Sequence, residues 1–196
     1  LSLALLVKIF FFKVILVASR RVDFHIKKPL IGVLKYDNPL LAMNICISEA
    51  IKQIMMEDGV SSKRLTTIHS GVDCTRFKHS SKPQNKLKEE LNIPADQKII
   101  GTIAALADHK DYPTLLQAAK LVLKQNPNDV TFLAVGDGPK KDAIFKLHKE
   151  LGLGEKFIFC GYRTDIANLL NLFDIFVLSS KTEGMGTSLL DAQCAG

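Results

Sequence analysis

DIFVLSSKTEGMGTSLLDAQCAG, residues 174–196, passes from a strand signature to a glycine loop to a helix start within one stretch. Ile175-Phe176-Val177-Leu178 is an apolar run of the length of a parallel strand, an element covered on both faces. Ser179, Ser180, Lys181 and Thr182 are small, polar or basic. Glu183-Gly184-Met185-Gly186 follows, with glycines two residues apart, and Thr187-Ser188 opens Leu189-Leu190-Asp191-Ala192, which reads as a helix. In an open parallel sheet this order brings a helix N-terminus to the carboxyl edge. There the orphan backbone N–H groups and the positive end of the helix dipole coincide, a combination that favours phosphate.

Glu183 lies in the loop and Asp191 about one turn into the helix. Carboxylates accept hydrogen bonds from hydroxyls, and sugars and riboses supply hydroxyls. A phosphate site between two such acids suits a nucleotide-sugar. A solvated helix residue and an acid favoured by the dipole fit the spacing equally well, because a short glycine loop is a weak motif.

Upstream of this stretch the same order repeats. Strands are predicted at Ile99–Leu106, Val130–Val135 and Phe157–Phe159, each followed by a loop and a helix. The first helix, Tyr112–Lys124, carries Pro113 in its opening turn, where proline is tolerated. Such alternation predicts an α/β, Rossmann-like parallel sheet with helices on both faces. Ligands of such sheets sit beyond the carboxyl ends of the strands. The loops there carry His109-Lys110, Gly136-Asp137-Gly138-Pro139, Gly161-Tyr162-Arg163 and the opening stretch. Lys110 can pair with a diphosphate or be solvated. Gly136-Asp137-Gly138 allows a close backbone approach or forms a simple turn; with Lys141 where a third glycine would stand, it is not the dinucleotide fingerprint. Tyr162 and Arg163 offer a ring and a cation that suit a nucleobase.

The first 75 residues form a second body of elements. Leu1–Phe10 reads as a helix and Val14–Ala18 as a buried strand. Residues 19–39 read as irregular, with Arg20-Arg21 placed either to grip an anion or to be solvated. Asn44–Ile47 and Leu65–Ile68 read as strands, and Ser48 caps a helix that ends at Gly59. A boundary near 72–80 divides 1–75 from 76–196. Residues 1–18 fit a membrane segment or signal peptide as well as a buried helix followed by a strand, since Lys8 and Lys13 interrupt the run. The chain opens on Leu1 and closes on Gly196 inside a predicted helix, so the expectation is a piece of a longer protein.

The 196 residues are 47% hydrophobic and 23% charged, ordinary for a globular chain with a core. The net charge of +6 is spread along the sequence with no basic, aromatic-rich run, which argues against nucleic acid. The excess suits an anionic ligand or an anionic membrane surface. Cys46, Cys74, Cys160 and Cys194 form no metal-ligand pattern, and Cys46 and Cys160 sit in apolar strands as expected buried thiols, in keeping with a reducing compartment. No metal site is expected.

Together these residues resemble the retaining, GT-B-fold glycosyltransferases of the large group 1 family. The matching stretches are ISEAIKQ (47–53), IHSGVD (68–73), HKDYPTLLQAA (109–119), FLAVGDGP (132–139), FCGYRTDI (159–166) and DIFVLSSKTEGMGTSLLDA (174–192). The resemblance implies that 76–196 is the nucleotide-sugar-binding half of a GT-B fold and 1–75 the last part of the acceptor-side Rossmann-like domain. It implies a catalytic role for Glu183, which contacts donor-sugar hydroxyls, and for Lys110, which neutralises the diphosphate. Gly184, Met185, Gly186, Thr187 and Ser188 match the loop and helix start that hold sugar and diphosphate, with His109 assisting. Asp191 matches the acid that reads the ribose; Tyr162 and Arg163 match the nucleobase segment, largely through backbone. Gly136, Asp137 and Gly138 belong to a further loop on the same edge.

The implied reaction moves a sugar from a nucleotide-diphosphate donor, such as a UDP-sugar, to a carbohydrate or lipid-linked acceptor with retention. It implies no cofactor and no metal, and a cytoplasmic enzyme open to peripheral association with the inner face of a membrane. Two departures stand out: the second acid is Asp191 rather than Glu, and the family's usual arginine after the first strand of this half is Ala105. The acceptor-side residues are expected outside this chain, so the chain alone is expected to be inactive. Two rival readings remain, a nucleotide-sugar-binding module without catalysis and a GT-B-fold sugar-nucleotide epimerase. A dehydrogenase is disfavoured by the missing glycine fingerprint.

Overall fold

The structure is a computed structural model and describes residues 1–11, 13–26, 29–77 and 84–196. Part of the boundary expected near 72–80 lies outside the described residues. The chain divides into two compact units, one of residues 1–71 with 183–185 and one of residues 72–182 with 186–196.

The first unit contains α1 (Ser2–Phe10), β1 (Val17–Arg20), α2 (Pro29–Tyr36), β2 (Met43–Cys46), α3 (Glu49–Glu57) and β3 (Leu65–Thr67). Its three strands are parallel in the order β1-β2-β3. Ser48 caps α3 as expected, its side chain accepting from the Ile51 N–H. That helix turns Ile51 and Met55 onto β2 and β3, and they bury with Cys46, Ile47, Val60 and Leu65. Met185 packs on the same cluster.

Three expectations for this unit are corrected. The first strand lies at Val17–Arg20 rather than 14–18. Residues 29–36 form α2 where irregular chain was expected; Pro29 opens the helix, and its fixed φ suits a first turn. Helix α1 buries none of its residues, with Leu3 and Phe10 each about three-quarters exposed. No helix among the described residues is long and apolar enough to cross a membrane.

The second unit contains α4 (Gln84–Glu90), β4 (Lys98–Ile103), α5 (Tyr112–Gln125), β5 (Val130–Val135), α6 (Lys141–Leu151), β6 (Phe157–Gly161), α7 (Ile166–Leu170), β7 (Ile175–Phe176) and α8 (Thr187–Ala195). All strands are parallel, in the order β6-β5-β4-β7. The pleat sends alternate residues of β5 to opposite faces. Phe132 and Ala134 meet Leu115, Leu116 and Ala119 of α5 and Ile144 of α6. Leu133 and Val135 meet Leu87 of α4 and Leu169 of α7. Helices therefore cover both faces, which explains why these strands read as continuous apolar runs. Gly101 leaves the space that the Phe173 ring fills; a Cβ there would collide with it.

Cys46 and Cys160 are free thiols, and burial pushes the Cys160 thiol up to about 11. The other two cysteines are not free: Cys74 and Cys194, 120 positions apart, form a disulfide with Cα atoms 4.9 Å apart. Sequence spacing gave no sign of that pair, and it removes the argument for a reducing compartment from cysteine usage.

Candidate functional site

In the second unit β5 and β6 lie on one side of β4, and β7 on the other. The carboxyl edge of the sheet at this change of direction carries a crevice, the place where open α/β sheets take ligands. A cavity of about 390 Å³ fills it. Its floor comes from the strand ends Ile103 and Val135, from Ala104 and Ala105 just past β4, and from Ile166 at the start of α7. Its polar lining is Lys110, Gly136, Asp137, Tyr162, Arg163, Thr187 and Ser188.

Each polar residue arrives by a different local device. Thr187 and Ser188 open α8, which follows Gly186 in the left-handed conformation (φ 60°) and has no side-chain cap. The first N–H groups of such a helix have no intrahelical acceptor and carry the positive end of its dipole. Lys110 ends a one-turn 3-10 helix, Asp108–Lys110.

The 136–138 loop is pressed against the chain leaving β4. At Gly138 a Cβ would stand 2.6 Å from the Leu106 carbonyl oxygen, and at Gly136 (φ 141°) it would collide with the Ala104 carbonyl. Only glycine permits this approach. The Gly138 N–H donates to Asp137 Oδ1 at 2.8 Å. That bond is the main reason the Asp137 carboxyl lies below the usual carboxylate range, with Lys141 adding to it.

The Arg163 guanidinium is held as a fork. Its Nε and Nη2 donate to Asp165 at 2.8 and 2.6 Å, and its Nη1 to Glu90 at 2.9 Å. Tyr162 beside it is 80% exposed. The cavity is thus cationic at Lys110 and at the start of α8, apolar on its floor, and flanked by an exposed ring. This arrangement can hold a phosphorylated ligand with a flat group at one end.

The structure brings together Lys110, Gly136, Asp137, Tyr162, Arg163, Thr187 and Ser188 of the residues singled out from sequence. Gly138 and Gly186 shape the cavity from behind. His109 does not line it; its carbonyl accepts the Lys181 N–H. Asp191 is half-buried on α8 outside the lining, and burial raises its carboxyl, an effect opposed by Arg76. Glu183, Gly184 and Met185 group with the first unit, where a Cβ on Gly184 would stand 2.6 Å from the Arg21 carbonyl oxygen. The sequence reading missed Ile103, Ala104, Val135 and Ile166. They are apolar residues at or next to element boundaries, and only the place where each element begins or stops marks them. Among the described residues no group of three or more His, Cys, Asp and Glu side chains is placed to hold a metal.

The family model described as "Glycosyl transferases group 1" matches residues 83–196. Over 156 residues the chain is 28% identical to the Escherichia coli UDP-Gal:alpha-D-GlcNAc-diphosphoundecaprenol alpha-1,3-galactosyltransferase, covering 78% of this chain and 40% of that protein. It is 30% identical over 136 residues to the Bacillus anthracis N-acetyl-alpha-D-glucosaminyl L-malate synthase, covering 69% and 34%. The crystal structure of Anabaena Alr3699/HepE in complex with UDP and glucose superposes with a TM-score of 0.84 at 22% identity, over 99% of this chain and 54% of that one. A Rickettsia africae glycosyltransferase superposes with a TM-score of 0.75 at 20% identity, over 91% and 49%. At these identities the structural likeness speaks to the fold, that of GT-B glycosyltransferases. The chain spans about two fifths or less of the length of these two curated relatives and about half of the two solved chains.

Proposed function

Since the chain belongs to the group 1 glycosyl transferases, we propose that its second unit holds the nucleotide-diphosphate sugar of a retaining glycosyltransferase. The observation that carries this reading is the convergence of Lys110 with Thr187 and Ser188 on one cavity. The diphosphate lies between the Lys110 ammonium and the start of α8. The nucleobase lies against the Tyr162–Arg163 segment, meeting its backbone and ring, since the Arg163 side chain is engaged by Asp165 and Glu90. Uridine diphosphate is the donor nucleotide we favour, because UDP is named for the E. coli relative and for the Anabaena complex. The acceptor we propose is a carbohydrate or lipid-linked glycan, met at the inner face of a membrane.

In the transfer, the bond between the anomeric carbon and the diphosphate oxygen breaks and negative charge builds on the leaving diphosphate. Lys110 and the α8 N–H groups face that charge before it forms, which is how preorganised dipoles lower a barrier. For Glu183, Gly184 and Met185 we propose donor-sugar contacts, and for Asp191 a ribose contact, on the strength of the family resemblance. We assign the charge-neutralising role to Lys110 and α8 rather than to a metal.

The test is turnover of radiolabelled UDP-sugars by the intact protein, with and without Lys110→Ala. The expected result is transfer or slow hydrolysis that falls about 100-fold or more in the variant. Tight UDP binding without any turnover would favour the binding-module reading, which the alanine at Ala105 on the cavity floor supports.

A further inference from the structure

Lys110 ends a single turn whose own backbone bonds are two, from the Lys110 N–H to the Ala107 carbonyl at 3.1 Å and from the Asp111 N–H to the Asp108 carbonyl at 3.2 Å. The single 3-10 turn Asp108–Lys110 has no side-chain cap and runs into Asp111, a non-glycine residue in the left-handed conformation (φ 48°, ψ 49°). L-residues rarely adopt that conformation, and it persists where neighbours over-determine it. Those neighbours come from the start of α5 and from the connection after β7. Ser179 Oγ donates to the Lys110 carbonyl at 2.8 Å. The Lys181 N–H donates to the His109 carbonyl at 2.8 Å. The Lys181 ammonium lies 3.4 Å from Asp111 Oδ1, while Asp111 Oδ2 accepts the Thr114 hydroxyl at 2.8 Å. Three successive residues, His109, Lys110 and Asp111, are thus each fastened by the segment 179–181.

We propose that Ser179 and Lys181 are positioning residues, which fix where the Lys110 ammonium stands against the distal phosphate of a bound nucleoside diphosphate. The proposal rests on the donor-site reading above. Lys110 meets this cavity without an arginine at Ala105, so its placement governs how well the distal phosphate is neutralised. The strap belongs to the same connection, after β7, that leads to Thr187 and Ser188.

The experiment measures uridine diphosphate and uridine monophosphate binding by calorimetry for the intact protein and for Ser179→Ala, Ser179→Thr, Lys110→Ala and the Ser179→Ala/Lys110→Ala double variant. Ser179→Ala is expected to weaken the diphosphate about 3- to 10-fold and leave the monophosphate unchanged, and Ser179→Thr, which keeps the hydroxyl, restores most of the loss. In the Lys110→Ala background Ser179→Ala is expected to add nothing, because its effect runs through Lys110. Unchanged diphosphate affinity in Ser179→Ala overturns the proposal. So do equal losses for both nucleotides, or losses that multiply in the double variant. An unsubstituted protein that binds neither nucleotide, or that does not prefer the diphosphate, overturns the donor-site reading and the strap with it.

Discussion

The Tyr112 hydroxyl donates to the Ala104 carbonyl oxygen at 2.9 Å, joining the first residue of α5 to the first residue past β4. Tyr112 is 1% exposed, and burial raises its phenol well above the ordinary value. Ala104 lines the cavity, so this bond fixes the cavity floor from the core side. Tyr112→Phe is expected to cost about 0.5–1.5 kcal/mol, and more if the carbonyl is left unpaired. Tyr112→Ala is expected to cost about 3–5 kcal/mol through the void it opens. Urea denaturation of both variants checks the two figures.

Asp191 combines a cost in stability with a role in the proposed site. Burial raises its carboxyl above the usual range, and Arg76 only partly offsets this. Between its unfolded and folded values the folded protein binds more protons, so stability falls as pH rises through that window. Asp191→Asn removes the charge and is expected to raise the melting temperature at pH 7 by about 1–3 °C. The same variant is expected to weaken UDP by about tenfold or more if the carboxylate accepts a ribose hydroxyl. Binding to the unsubstituted protein then declines as pH falls through the raised value, starting above the ordinary carboxylate range. A variant less stable and equally able to bind would remove Asp191 from this account.

The Arg163 side chain is held by two carboxylates, Asp165 and Glu90. Its fork on Asp165 and Glu90 pulls the chain after β6 down onto α4. Lysine cannot reproduce a planar fork. Arg163→Lys is expected to lose about 1–2 kcal/mol of stability, a partly exposed fraction of the 1.5–3 kcal/mol typical of each charged hydrogen bond. UDP affinity, measured by calorimetry, is expected to change less than about threefold.

Cys74 and Cys194 tie the start of the second unit to α8, the helix that carries Thr187, Ser188 and Asp191. Thiol titration of the denatured, unreduced protein is expected to find two free thiols, Cys46 and Cys160. Cys74→Ser is expected to cost about 2–5 kcal/mol. Four titratable thiols would show that the pair is not bonded in solution.

What could be read from the sequence follows from which forces are local. The short, mostly apolar runs of β4, β5 and β6, each followed by a loop and a helical pattern, pointed to strands covered on both faces, and Pro113 and the glycine-marked loops gave the helix starts. The loops that converge on the cavity were legible because a parallel sheet sends every such connection to one edge. Helix α2 was not, because Leu30, Gly32 and Val33 follow the sequence Lys27-Lys28-Pro29, which carries no Ser, Thr, Asp or Asn to signal a helix start. The disulfide was hidden by a 120-residue separation. Glu183–Met185 group with the first unit, and Met185 packs against its core cluster, a long-range contact that spacing cannot express. The Ser179–Lys110 bond is of the same kind: each residue looks like an ordinary loop residue until the sheet brings β4 and β7 side by side.

The most direct test of the donor-site reading is nuclear magnetic resonance of the isotopically labelled protein titrated with uridine diphosphate. Saturable shifts are expected in the backbone N–H signals of Lys110, Gly136, Tyr162, Thr187 and Ser188, the largest at the start of α8. Signals there that stay unmoved, or shifts that gather instead at the aromatic groove of Phe145, His148 and Phe159, would contradict it.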